Sequence, residues 1–64
     1  MKKLLRRPEI ELRTGLARST IYDMMKDGRF PKPIKLGGRA VAWLEVEIND
    51  WIEDQITQRE DIAR

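Results

Sequence analysis

The side chains able to do chemistry in this 64-residue chain are charges, hydroxyls and amides, because it contains no histidine and no cysteine. That composition removes disulfides, thiol nucleophiles, Cys/His zinc sites and imidazole acid-base catalysis together. The carboxylates and lysines that remain are scattered over the helical segments and form no enclosed constellation, so no catalysis, metal, cofactor or small-molecule substrate is expected. What is left is recognition by charge and hydrogen bond. The residues that could carry it are Arg18, Ser19, Thr20, Tyr22, Asp23 and Lys26 in one short stretch, Lys35, Gly37, Gly38 and Arg39 in a second, and Lys2, Lys3, Arg6 and Arg7 at the start.

The net charge of +2 conceals a strong division along the chain. Met1 to Arg39 holds 11 Lys+Arg against 4 Asp+Glu, a net +7, whereas Ala40 to Arg64 holds 2 against 7, a net −5. A basic lobe backed by an acidic one is the footprint of a face that binds a polyanion, with the second lobe as scaffold. Met1 to Arg7 is basic but has only two consecutive leucines, too few for a signal peptide or a membrane span, so a cytoplasmic protein without membrane contact is expected.

The elements that must position those residues follow from periodicity and turn chemistry. Ile21, Met24 and Met25 share one side of a helix expected over 18–27, leaving Ser19, Tyr22, Asp23 and Lys26 on the other, with Arg18 and Thr20 at the edges. Gly15 suits the left-handed residue that ends a preceding helix over 8–14, opened by Pro8 and by the acids Glu9 and Glu11, and Leu16 packs back on it. Two short helices joined by Thr14-Gly15-Leu16 form the unit that sets its second helix in a DNA major groove. Ala17 at the entry to that helix offers no capping oxygen, a deficit of roughly 1 kcal/mol against serine, which leaves Ser19 or Thr20 to supply it.

The remaining segments support this corner. Ile10 is expected in the core and Leu12 on a flank, while Leu4 and Leu5 make an extended lead-in tucked beneath. Gly28 closes the second helix, and Phe30 anchors the link through Pro31 and Pro33. Residues 34–43 alternate apolar and other side chains around Gly37-Gly38, the pattern of a hairpin, and Arg39 at its tip can reach a phosphate or a minor groove. Neither a Walker pattern nor a GxGxxG motif is present to make these glycines a nucleotide loop. Over 46–60 the stripe Ile48, Trp51, Ile52, Gln55 and Ile56 marks a closing, core-forming helix, with both tryptophans assigned to the core and Trp51 as its buried aromatic. Thr57 to Arg64 continues the pattern weakly, leaving Ile62 and Ala63 over.

Pro8-Glu9-Ile10, Thr14 to Tyr22, Gly28 to Pro33, Lys35 to Val41 and Trp43-Leu44-Glu45 together resemble the AlpA family of small prophage transcriptional regulators, related to phage excisionases and the MerR winged-helix fold. The resemblance spans nearly the whole chain. It implies a helix-turn-helix, a two-stranded wing and a closing helix, with Arg18, Ser19, Thr20 and Tyr22 in the recognition helix and Arg39 in the wing. Three positions depart from the family's pattern: Ala17 and Val46 replace serines at helix starts, and Asp23 stands where a basic residue is common. An acid there either accepts from cytosine N4 or is repelled by phosphate.

The expectation is therefore a mostly α, α+β fold in the order α-α-β-β-α, one winged helix-turn-helix domain over 1–64 that binds double-stranded DNA as a regulator of prophage or mobile-element genes. An excisionase-like DNA-bending factor and, from another class, a protein-interaction adaptor are the alternatives. A module this small reads too few base pairs alone, so self-association on repeated or inverted half-sites is expected.

Overall fold

In the computed structural model, which describes residues 2–62, the order of elements is β1 (Leu4–Leu5), α1 (Arg7–Thr14), α2 (Arg18–Lys26), β2 (Ile34–Gly37), β3 (Ala40–Leu44) and α3 (Glu45–Ile62). Ala63, which the sequence left over, lies outside the described residues. The helical and hairpin order is as expected, with one strand added at the front. Leu4 and Leu5 pair antiparallel with Leu44 and Trp43, making a three-stranded sheet in the order β1-β3-β2. The lead-in is thus a strand, and its two leucines divide: Leu5 is buried and Leu4 is 42% exposed. A strand of two residues shows no alternation by which to be read.

Both turns around α2 are fixed by glycines with positive φ. Gly15 (φ 73) donates its N–H to the Glu11 carbonyl at 2.8 Å, the five-to-one closure of a left-handed helix end. Thr14 reinforces it, its hydroxyl donating to the Ile10 carbonyl at 2.8 Å and accepting the Leu16 N–H at 3.2 Å. At the other end Gly28 (φ 75) donates to Met25 and Arg29 to Met24, the paired bonds of a Schellman motif. The entry to α2 differs from the expectation. Ala17 takes the extended N-cap conformation without a side-chain cap bond, and neither Ser19 nor Thr20 replaces it. Both hydroxyls already lie inside the first turn, two and three residues beyond the N-cap position from which a side chain accepts the N–H of N2 or N3.

The core takes one residue from each of six segments: Leu5, Ile10, Ile21, Phe30, Trp43 and Ile48. Leu16, Met24, Met25, Val41, Trp51 and Ile52 pack around it. Leu12 covers nothing, being 81% exposed on the outer side of α1. The innermost tryptophan is Trp43, which is wholly buried, whereas Trp51 is only half-buried. The strand position explains this, since β3 is the central strand and is enclosed at both Ala42 and Trp43. The alternation read into the hairpin holds for neither of its arms: β2 is exposed at every residue, and Ala42 is as buried as Trp43.

α3 starts at Glu45, directly after β3, where two ties converge. The Glu45 N–H donates to the Lys3 carbonyl at 2.9 Å, and its carboxylate meets the Arg13 guanidinium at 3.0 Å. Arg13 is also held by Glu9 at 3.1 Å. The hydrogen bond to Glu9 is the main cause that raises the Arg13 pKa above its ordinary value, with Glu45 acting in the same direction against a desolvation cost. Among the described residues, no helix is long and apolar enough to cross a membrane.

Trp43→Ala should cost about 3 to 5 kcal/mol, comparable with the whole stability of so small a domain, and leave it largely unfolded. Trp51→Ala, at a half-buried site, should cost about 2 kcal/mol and keep a cooperative transition. Urea titration followed by circular dichroism ranks the two, and the reverse order would mean that the core is centred on α3. A Cβ on Gly15 would meet no heavy atom within 4 Å. Gly15→Ala should therefore lose only the backbone term, roughly 1 to 2 kcal/mol in the same titration, and an unchanged midpoint would show that the turn relaxes out of the left-handed region.

Candidate nucleic-acid interface

The 18–26 helix is divided by burial. Ile21 is fully enclosed and Met24 and Met25 are half-buried against the core, so the opposite side is held outward by packing. That side presents Ser19, Asp23 and Lys26, with Arg18 and Thr20 also exposed and Tyr22 half-buried. Arg18, the first residue of the helix, places its guanidinium carbon 5.7 Å from the centre of the Tyr22 ring one turn on, within cation–π range. The spacing of four that permits this contact is visible in the sequence, but its use is not.

The hairpin supplies a second group. Lys35, Gly37, Gly38 and Arg39 are all exposed. Gly37 belongs to β2 and pairs with Ala40, so the connecting residues are Gly38 and Arg39. Gly38 has φ 53 and Arg39 does not have positive φ, the combination that a type II′ turn requires with glycine first. The pairing steps from Lys35↔Val41 to Gly37↔Ala40, leaving Leu36 as the extra residue of a bulge that bends the strand.

The amino-terminal cations form a third group, apart from the hairpin strand. β1 and β2 lie on opposite edges of β3, so Lys2 and Lys3 stand at the edge away from β2. Arg6 precedes α1 and is exposed. Arg7 differs from its neighbours in being half-buried on α1 and bonded through Nε to Glu11 at 2.9 Å, which reduces what it can offer a polyanion.

Ion pairing within the basic lobe is local and selective. Glu11 holds Arg7, Glu9 holds Arg13, and Asp27 holds Arg29 at 2.9 Å. Of the four acids before Ala40, Asp23 alone has no such partner among the described residues, and it stands on the outward side of α2. Lys2, Lys3, Arg6, Arg18, Lys26, Lys32, Lys35 and Arg39 are likewise exposed and without a carboxylate partner among the described residues. Between two prolines, Lys32 reads in the sequence only as part of the link.

The link bearing Lys32 is tied down by both tryptophans. The Trp51 indole donates to the Arg29 carbonyl at 2.8 Å and the Trp43 indole to the Pro31 carbonyl at 2.9 Å. Phe30 lies edge-on between them, with ring centres 4.8 Å from Trp51 and 6.5 Å from Trp43. These contacts fix the path from α2 into the hairpin.

Comparison with known proteins finds three likenesses. Residues 3–56 match the family model of the prophage CP4-57 regulatory protein (AlpA). The chain is 43% identical over 58 residues to the uncharacterized protein ORF88 of Enterobacteria phage P4, a match covering 91% of this chain and 66% of that protein, so the chain spans just under two thirds of that relative. It is 39% identical over 59 residues to the DNA-binding transcriptional activator AlpA of Escherichia coli strain K12, covering 83% of this chain and 84% of that protein.

Proposed function

Because the chain belongs to the family of the prophage CP4-57 regulatory protein AlpA, we propose that it is a sequence-specific double-stranded DNA-binding regulator of prophage or mobile-element genes. The observation that carries this reading is the division of α2: Ile21, Met24 and Met25 hold one side on the core, so the exposed Arg18, Ser19, Thr20, Asp23 and Lys26 are presented as a rigid set. In this reading α2 enters the major groove after the left-handed Gly15 turn, as the second helix of a helix-turn-helix does. The hairpin carries Lys35 and Arg39 to the backbone or the minor groove, with Gly37 and Gly38 allowing close approach, and Lys2, Lys3 and Arg6 hold flanking phosphates. The protein acts by occupancy, without catalysis. One copy would bury only about 600 to 1,000 Å² on DNA, so paired or repeated half-sites and self-association on DNA belong to the proposal.

Selection of bound sequences from a random duplex pool tests the reading directly, and footprinting with a bending assay on the selected site then distinguishes promoter occupancy from a sharply bent, excision-type complex. With roughly 4 to 6 phosphate contacts from the unpaired cations, log affinity should fall against log salt with a slope of about −4 to −5. A flat response would remove the basic lobe from the interface.

The two groups should also respond differently to substitution. Asp23→Asn should change the base preferred at one or two positions, by roughly 1 to 3 kcal/mol of discrimination. Arg39→Ala should instead weaken specific and nonspecific duplexes alike. Pool selection with each variant decides, and the opposite assignment would make the hairpin the reading element.

A further inference from the structure

We propose that Arg18 and Tyr22 form a guanine-selecting unit, in which Arg18 contacts the base edge and Tyr22 is its positioning residue; this rests on α2 being the recognition helix. The inference starts from how the basic lobe holds its arginines. Arg7, Arg13 and Arg29 are each held by a carboxylate, which orders the guanidinium and cancels its charge. Arg18 is held differently. Its guanidinium lies 5.7 Å from the centre of the Tyr22 ring, and it has no carboxylate partner among the described residues.

An aromatic face orders a guanidinium while leaving its charge and its N–H groups available. Tyr22 can serve as such a platform because it is half-buried and stands one turn after Arg18 on the same helix. Arg18 is exposed at the first position of the helix, the end that a helix-turn-helix directs at base edges. A planar fork held in one orientation matches the O6 and N7 acceptors of guanine bidentately. An arginine fork can also grip a phosphate, but a lysine serves there as a point charge, and the exposed unpaired lysines already meet that need. The two roles thus separate by how each cation is held.

The test measures affinity of the full chain for its selected duplex and for single-base replacements of it. Arg18→Lys should lose roughly 5- to 100-fold of the preference for one guanine while keeping nonspecific affinity within about twofold. Tyr22→Phe, which keeps the ring, should behave as the parent. Tyr22→Leu should lose roughly two- to fivefold at that same base pair, and the Arg18→Lys/Tyr22→Leu double variant should be no worse there than Arg18→Lys alone. If Tyr22→Leu does not fold, Tyr22→Met takes its place, and Arg18→Lys at its exposed site still tests guanine selection. The proposal is overturned if Arg18→Lys leaves every base preference intact, or if the Tyr22 variants alter a different base pair. Failure of the parent chain to retain any duplex would instead overturn the DNA-binding reading beneath it.

Discussion

The geometry of the protein depends on how the link from Arg29 to Pro33 is satisfied. Two prolines keep this segment out of any helix and take donors from it, so its carbonyls need partners from elsewhere. The two indole N–H groups supply them at Arg29 and Pro31, and Phe30 fills the space between the rings. The same side chains therefore close the core and fix the direction in which the chain leaves α2. Without them the helix and the hairpin would be joined by a short tether with no set angle.

A second constraint acts at the start of α3. Glu45 receives Arg13 from α1 and bonds through its backbone to Lys3 beside β1. The first and last elements are thus joined at one residue, and the acidic lobe meets the basic one through an arginine already shared with Glu9. Three of the four acids of the basic lobe, Glu9, Glu11 and Asp27, pair locally, so most of its outward cations keep no carboxylate partner among the described residues, although Lys32 shares a cleft with Glu47, Asp50 and Asp54 of α3.

The parts legible in the sequence were those governed by local rules. Gly15 and Gly28 announced helix ends, and Ile21, Met24 and Met25 announced the buried side of α2, because left-handed backbone and a 3.6-residue period leave marks within a few residues. β1 was less legible, since pairing Leu5 with Trp43 is a contact across most of the chain. The depth of each tryptophan was equally hidden: Trp51 sat on the strongest stripe, yet the central strand buries Trp43 more completely. The candidate cations could be found by charge alone. That Arg7 is tied to Glu11, that Lys32 is exposed and unpaired, and that Arg18 rests on Tyr22 depended on side-chain geometry that composition does not encode.

Every segment but one places a residue in the central cluster, and the exception is β2. Its contribution to the fold is hydrogen bonding along one side of β3, and its own outer edge is bounded by Pro33, Lys35 and a bulge, which discourage pairing with another chain. A strand so placed can be lengthened, shortened or rewritten with little effect on what holds the domain together. The hairpin arm is thus a fitting mounted on the helical frame, open to change without disturbing it.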